Sequence, residues 1–220
     1  MSLMLFGAKL LAAYLLGSLS GSLILGRMRG VDIRTQGSGN AGGTNAYRTQ
    51  GILFALGTVV IDVGKGALAA ALTWVPPAIA EMDPLVQGLS LGLACTAGHI
   101  WPLFFGFRGG KGGAVVIGML AVCFPLSILP MVGVWLVCLS LSGYVGLSTV
   151  LAGATLIPTA WFFADPAQRP ALLILGVVTT ALFSWTHRGN LDRLRRGTEH
   201  RFERARVLAR LLRLVPSRDA

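Results

Sequence analysis

The segment that decides the fold begins at Leu3 and ends at Leu25, with the sequence LMLFGAKLLAAYLLGSLSGSLIL. Lys9 is its only charged residue, and about 20 mostly apolar residues are enough to cross a bilayer. Arg27 and Arg29 follow the segment, so its positive flank lies on the C-terminal side, opposite to that of a secretory signal peptide. The segment is therefore predicted to be a retained membrane helix.

Further apolar runs fill most of the remaining chain, at residues 51–75, 85–106, 113–124, 126–142, 145–163 and 170–187. They predict an all-α integral membrane protein with about seven transmembrane helices. The run at 113–124 is short for a crossing, and Pro125 follows it directly. A six-span alternative, in which this run is only half-embedded, therefore stays open.

Composition supports a membrane protein. Of the 220 residues, 54% are hydrophobic and 13% are charged, against about 45–50% and about 25% in soluble domains. The net charge of +10 would suit nucleic acid, but nucleic-acid-binding proteins carry their cations on a solvated face, and here the cations lie between apolar runs. We therefore predict that the protein contacts membrane lipids and does not bind nucleic acid. Residues 1–190 are predicted to form a single transmembrane domain, followed by a basic cytoplasmic tail at 191–220.

The cations also predict the orientation. If alternate loops share one side, every Lys and Arg apart from Lys9, Lys65 and Arg169 lies on that side. By the positive-inside rule the N-terminus is then outside and the C-terminus is cytoplasmic. The arginine-rich tail is interpreted as a topology anchor, and an amphipathic helix lying on an anionic membrane surface is the alternative.

The first inner loop, residues 37–48, is GSGNAGGTNAYR. Glycines allow consecutive backbone N–H groups to turn inward around an anion, and a helix that starts near Thr44 would add its N-terminal dipole. Gly42 is expected to need a positive φ and Ala41 to point away, so Gly42→Val should cost more activity than Ala41→Val. The loop lacks the spacing of a Walker motif, and no nucleotide is predicted.

Two further inner segments combine cations with glycine or polar residues. The second inner loop, residues 98–113, is GHIWPLFFGFRGGKGG, in which Gly-Gly-Lys-Gly lets the Lys111 ammonium reach a ligand while the backbone approaches closely. The third segment, residues 186–199, is THRGNLDRLRRGTE. His187 and Asn190 are three residues apart and are predicted to share one helix face.

Ionisable residues within the apolar runs have structural explanations. Asp62 and Lys65 are three residues apart and are predicted to pair, since such groups must be paired at membrane depth. His99 ends an apolar run, where a buried core histidine and a site residue are both possible. The histidines and cysteines lack metal-ligand spacing, and no Ser-His-Asp set follows from the sequence. No metal and no cofactor are predicted.

Taken together, the three inner segments resemble the bacterial acyl-phosphate:glycerol-3-phosphate acyltransferases. The marks of that family are S-G-N-x-G-A-T-N, then G-H-x-x-P with a G-G-K-G loop, and a late H-x-x-N with G-T-E. This chain matches at residues 38–45, with Gly43 in place of alanine, at 98–112 and at 187–199. Tyr144-Val145-Gly146-Leu147 has glycine where the family often has serine, so a hydroxyl role there is placed on Ser148 or Thr149.

The resemblance implies a multi-pass enzyme of the bacterial inner membrane with its active site on the cytoplasmic side. It implies transfer of a fatty acyl group from acyl phosphate to the 1-hydroxyl of sn-glycerol 3-phosphate, giving lysophosphatidic acid and phosphate in phospholipid biosynthesis. The implied catalytic residues are Ser38, Lys111 and His187. The implied substrate-binding residues are Gly39, Asn40, Gly42, Gly43, Thr44, Asn45, Arg48, His99, Gly110, Gly112, Ser148, Thr149 and Asn190.

Within this scheme the segment Ser38–Asn45 holds the acyl phosphate, and glycerol 3-phosphate is bound by Arg48, Lys111, His187 and Asn190. A membrane transporter or exchanger of an organic phosphate is the alternative from another class, because it also needs broken helices and intramembrane charges. The cations lie on one side rather than at mid-bilayer, which favours the enzyme.

Overall fold

The computed structural model describes residues 2–77, 79–212 and 214. About 75% of the described residues are helical, and no strand occurs among them, so the predicted all-α fold is confirmed. The chain divides into two compact units, Met1–Pro125 and Leu126–Ala220. Both units consist of packed helices, and the first unit also contains the longer connections that carry the glycine-rich loops.

The first unit contains six α-helices. They are α1 (Ser2–Gly17), α2 (Gly21–Met28), α3 (Gly43–Gln50), α4 (Ile52–Ala71), α5 (Pro84–Ile100) and α6 (Gly113–Cys123). The glycine-rich residues 37–42 therefore lead into α3, and residues 101–112 connect α5 to α6.

The first apolar segment is not one continuous helix, as the sequence predicted, but a pair of helices bent by 46°. A Cβ at Gly17, where α1 ends, would overlap the backbone carbonyl of Cys95 in α5. A Cβ at Gly98 would likewise overlap the carbonyl of Tyr14. These glycines let α1 and α5 approach at backbone distance, as small residues do between membrane helices. The break falls in residues 17–22, whose sequence is GSLSGS, and sharp kinks in helices commonly occur at Gly/Ser pairs.

Five helical segments are long and apolar enough to cross a membrane, and the bent pair makes a sixth in the part of the chain described. These confirm an integral membrane protein of several spans. The seventh predicted segment corresponds to α6, which has only 11 residues. At about 1.5 Å per residue it covers roughly half of a hydrocarbon core about 30 Å thick. The count of seven crossings therefore stays a prediction.

Close glycine contacts fix α6 against α4. A Cβ at Gly66 would overlap the carbonyl of Val115, and one at Gly118 would overlap the carbonyl of Val63. This backbone-to-backbone packing holds the start of α6, and with it the end of the preceding loop, in a defined place.

The second unit contains the remaining described α-helices. They are α7 (Ile128–Ser142), α8 (Val145–Ala154), α9 (Leu156–Phe163), α10 (Arg169–Thr186), α11 (Arg188–Arg195) and α12 (Val207–Leu211). Gly153 in α8 lies against the ring of Phe183 in α10, and Gly176 in α10 lies against Ile157 in α9. α10 is thus packed between its neighbours, and it ends at the third polar segment.

Candidate active site

Asn45 organises the first glycine-rich loop from within. Its side chain is 1% exposed, and its Nδ2 donates to the carbonyls of Ile33 (2.9 Å) and Gln36 (3.0 Å). Its Oδ1 accepts from the backbone N–H of Ser38 at 2.9 Å. One amide in the first turn of α3 therefore fixes the loop that leads into that helix. A direct contact of Asn45 with substrate stays a prediction.

The backbone geometry of this loop corrects two expectations. Gly42 is extended, with φ −130° and ψ 166°, whereas the positive φ angles belong to Gly37 (56°) and Gly39 (72°). Ala41 is fully buried and packs in a cluster with Leu23 and other apolar side chains. The predictions that Gly42 needs a positive φ and that Ala41 points away were therefore wrong. A larger side chain is disruptive at Ala41, which is fully buried, and a Cβ at Gly42 would lie 2.7 Å from Nδ2 of Asn40.

The sequence-assigned residues of this region lie either in the loop or in the helix after it. Ser38, Gly39, Asn40 and Gly42 precede α3, and Gly43, Thr44, Asn45 and Arg48 belong to it. Ser38 and Arg48 are both exposed. The predicted helix start near Thr44 is confirmed, since α3 begins at Gly43.

Arg34, which sequence reasoning did not single out for the site, connects the two glycine-rich loops. Its Nε and Nη2 donate to both carboxylate oxygens of Asp32, and its Nη1 donates to the carbonyls of Phe105 (2.8 Å) and Arg108 (3.0 Å). Its hydrogen bond holds the pKa of the Asp32 carboxyl below its usual value. The carboxylate stays ionised and orients the guanidinium in a two-point contact.

The second glycine-rich loop folds back on the end of α5. The backbone N–H groups of Gly109 and Gly110 donate to the carbonyls of Ile100 and His99, each at 3.1 Å. A Cβ at Gly110 would overlap Nε2 of His99 and would lie 2.9 Å from the carbonyl oxygen of Ala41. Gly110 therefore occupies the point where the two loops meet, and the half-buried Lys111 follows it. Gly112 then begins α6 with φ 89°.

A buried ionic cluster underlies these loops. Asp62, Lys65 and His99 are at most 3% exposed, and Lys65 Nζ lies 2.9 Å from Asp62 Oδ1 and 2.9 Å from His99 Nδ1. The predicted Asp62–Lys65 pair is confirmed. The structure adds that His99 belongs to the same cluster. Its imidazole lies against Gly110 of the second glycine-rich loop. Its assignment as a substrate-binding residue stays a prediction.

The cluster also satisfies the backbone at the break between α1 and α2. Lys65 Nζ donates to the carbonyls of Gly17 (2.9 Å) and Leu19 (3.0 Å). Asp62 Oδ1 accepts from the N–H of Gly21 at 3.1 Å. Backbone groups freed by a helix break must find partners inside a membrane protein. Here Lys65 is the donor for the free carbonyls, and Asp62 is the acceptor for the free N–H.

In the second unit, His187 follows directly after α10. Its side chain is 5% exposed, and its Nδ1 lies 2.9 Å from the carbonyl oxygen of Phe183. Since a carbonyl only accepts, Nδ1 donates this hydrogen bond, and in a neutral imidazole Nε2 is then the acceptor nitrogen. This geometry suits a histidine that accepts a hydrogen bond from a hydroxyl.

Asn190 is fixed by a glutamate that the predicted site did not include. Its Nδ2 donates to Glu199 Oε1 at 2.6 Å, and Arg193 Nε donates to the other carboxylate oxygen at 2.7 Å. Glu199 is only 7% exposed at its side chain. A Cβ at Gly146 would lie 2.7 Å from Cβ of Asn190, so the glycine that departs from the family pattern makes room for this asparagine.

The two hydroxyl candidates of α8 bond within their own helix. Ser148 is fully buried, and its Oγ donates to the carbonyl of Tyr144 at 2.8 Å. Thr149 Oγ1 donates to the carbonyl of Val145 at 2.9 Å and lies 3.2 Å from Trp135 Nε1, which donates to it. A role for either hydroxyl toward substrate stays a prediction.

These observations define a class: a helical integral membrane protein in which two glycine-rich loops meet at Gly110, directly before a lysine, with Arg34 bonded to the second loop. A model of the glycerol-3-phosphate acyltransferase family matches residues 8–197, and the chain belongs to that family. It is an acyltransferase of phospholipid synthesis.

Relatives and solved structures agree. The chain is 36% identical to the glycerol-3-phosphate acyltransferase of Chlorobaculum parvum, over 89% of this chain and 96% of that protein. It is 37% identical to the enzyme of Bacillus velezensis, over 89% and 97%. The crystal structure of PlsY, an integral membrane glycerol 3-phosphate acyltransferase, in its glycerol 3-phosphate form is similar with a TM-score of 0.79 and 32% identity, over 90% of this chain and 95% of that one. A transporter is not favoured by these likenesses.

Proposed function

We propose that this chain transfers a fatty acyl group from acyl phosphate to the 1-hydroxyl of glycerol 3-phosphate at the cytoplasmic face of a bacterial inner membrane. The single observation that carries the proposal is the junction of the two glycine-rich loops at Gly110, directly before Lys111, in a chain of this family. A glycerol 3-phosphate form and a lysophosphatidic acid form exist among the similar PlsY structures, which supports the same acceptor and product here.

The reaction needs orientation and charge stabilisation more than a strong base, because an acyl phosphate is an activated mixed anhydride. The acceptor hydroxyl oxygen forms a bond to the acyl carbon, the bond from that carbon to the phosphate oxygen breaks, and inorganic phosphate leaves. The hydroxyl proton passes to the leaving phosphate. Lys111 is assigned to stabilise the negative charge that develops on the anhydride oxygens.

Each loop has an assigned task. The residues from Ser38 to Asn45 bind the phosphate of the donor, with Gly37 and Gly39 shaping the backbone around it. Arg48, exposed on α3, is assigned to the phosphate of glycerol 3-phosphate, which a guanidinium binds at two points.

His187 and Asn190 are also assigned to the acceptor. His187, at the N-cap position of α11, offers Nε2 to a hydroxyl of glycerol 3-phosphate, and Asn190 in the first turn of α11 contributes a second contact. The assignment of His187 is orientation of the acceptor, in keeping with a mechanism in which the donor phosphate takes the proton.

We further propose seven crossings with the N-terminus outside and the C-terminus inside. In this arrangement α6 is the fourth crossing, despite its length, and the inner loops carry the site. The distribution of cations supports this orientation through the positive-inside rule. Residues 1–190 are proposed as the catalytic membrane domain, and the basic tail follows.

The orientation predicts a labelling pattern with single cysteines in a chain whose Cys95, Cys123 and Cys138 have been replaced by alanine. Cysteines at positions 82 and 167 should react with a membrane-impermeant maleimide added to intact cells. Cysteines at positions 36 and 200 should react only after the cells are opened or the membranes are inverted.

Positions 36 and 82 lie in the first unit, and positions 167 and 200 lie in the second. Within each unit, the position expected to be labelled is the control for the one expected to be protected. Labelling of position 36 in intact cells would overturn the orientation and the cytoplasmic site together. Acylation of added glycerol 3-phosphate by right-side-out vesicles, but not by inverted ones, would contradict the location of the site in the same way.

A further inference from the structure

The chain that follows α11 folds back on the turn between α7 and α8. The backbone N–H of Phe202 donates to the carbonyl of Gly143 at 2.8 Å. Arg201 Nε donates to the Tyr144 hydroxyl at 2.6 Å, and its guanidinium carbon lies 5.1 Å from the centroid of the same ring. We call these contacts, between residues 143–144 and residues 201–202, the tail clamp.

The tail clamp fixes the segment of chain that carries Glu199. Glu199 precedes Arg201 by two residues, and its two carboxylate oxygens are bound by Asn190 and Arg193. The Arg193 side chain is 45% exposed, and an ion pair with so exposed a partner contributes little on its own. The clamp therefore supplies an anchor that does not depend on this ion pair.

The helix that follows the clamp contacts Asn190. Tyr144 occupies the N-cap position of α8, and Gly146, in the first turn of that helix, lies against Cβ and Cγ of Asn190. Asn190 is thus bounded by α8 on one side and by Glu199 on the other. The tail clamp connects the start of α8 to the segment that carries Glu199, and both of these elements contact Asn190.

The family model ends at residue 197, so Arg201 and Phe202 lie beyond the part of the chain that the model matches. We propose that Arg201 and Tyr144 are positioning residues for acyl transfer, because their contact sets the segment of Glu199 and thereby the amide of Asn190. The inference rests on the proposed role of Asn190 toward glycerol 3-phosphate. The basic tail then does more than anchor the topology.

The inference is tested by steady-state kinetics of the purified full-length chain in detergent, with palmitoyl phosphate and glycerol 3-phosphate varied separately. Arg201→Gln is expected to raise KM for glycerol 3-phosphate by about tenfold and to change KM for palmitoyl phosphate less than twofold. Arg201→Lys, which keeps a donor for the hydroxyl, should recover part of the loss. A residue that only stabilised the fold would not affect the two substrates differently.

Tyr144→Phe is the second variant, since it keeps the ring and removes the hydroxyl that Arg201 binds. It should show the same selective rise in KM, and the double variant should be no worse than the stronger single one, because both substitutions remove one contact. The matched control is Arg204→Gln, which removes the same charge from an exposed side chain of the same segment. Its kinetic constants should stay within twofold of those of the unmodified chain.

Three results would overturn the inference, and they are distinguishable. In the first, Asn190→Ala raises KM for glycerol 3-phosphate, but Arg201→Gln and Tyr144→Phe have the same KM as the control Arg204→Gln. The clamp then does not position Asn190. If Asn190→Ala leaves KM unchanged, the proposed role of Asn190 fails, and the inference fails with it. Equal losses in Arg201→Gln and Arg204→Gln would likewise count against the clamp, since tail charge alone would explain them.

Discussion

Lys111→Met is expected to lower kcat/KM by about 10²–10³-fold while the protein still folds and extracts normally into detergent. The loss is of the size found when one donor to a developing negative charge is removed, and methionine keeps the length of the side chain without its charge. The measurement is phosphate release from palmitoyl phosphate in the presence of glycerol 3-phosphate.

Arg108→Gln is the matched control, because it removes one positive charge from an exposed side chain of the same loop. Arg34 binds the backbone carbonyl of Arg108 and not its side chain, so the junction between the loops is kept. Arg108→Gln is expected to retain activity within a few-fold. Near-normal activity of Lys111→Met would contradict the assignment of Lys111 to the reaction.

Gly110→Ala should be nearly as damaging, with a fall in kcat/KM of about 10²-fold. A methyl group there overlaps the His99 imidazole and crowds the carbonyl oxygen of Ala41, so the two loops must separate. A displacement of about 1 Å in a positioning element is enough for such a loss. Thermal unfolding should also occur at lower temperature, since an overpacked site costs about 1–3 kcal/mol.

Gly64→Ala provides the comparison for Gly110→Ala, because nothing lies within 4 Å of a Cβ added at Gly64. It lies within α4, where alanine is favoured over glycine by about 1 kcal/mol. This variant should be fully active and slightly more stable. If Gly110→Ala behaves in the same way, the loops do not need their close contact.

The sequence predicted features that depend on neighbours along the chain. Apolar runs of sufficient length predicted the helices, and the short run at 113–124 correctly drew attention to α6. The i, i+3 spacing predicted the pairing of Asp62 with Lys65. Each of these features depends on one segment of the sequence and on the bilayer that surrounds it. It could therefore be predicted without knowing how the helices pack against one another.

Features set by distant contacts were missed. The close approach of α1 to α5 at Gly17 involves a helix distant in sequence, and Ala41 is buried in an apolar cluster that includes Leu23 and Phe54. The recruitment of His99 by Lys65 spans 34 residues. Arg34 likewise bonds to residues more than 70 positions away. No local pattern distinguishes it from the other cations of the inner loops.

The most direct test of the proposed reaction is the dependence of phosphate release on the acceptor and the donor. The purified full-length chain, in detergent, is given palmitoyl phosphate with or without glycerol 3-phosphate, and palmitoyl-CoA is supplied in place of the phosphate in a parallel sample. The account predicts equal amounts of phosphate and lysophosphatidic acid, formed only when palmitoyl phosphate and glycerol 3-phosphate are both present. Phosphate release without glycerol 3-phosphate, or acylation of glycerol 3-phosphate from the thioester alone, would contradict it.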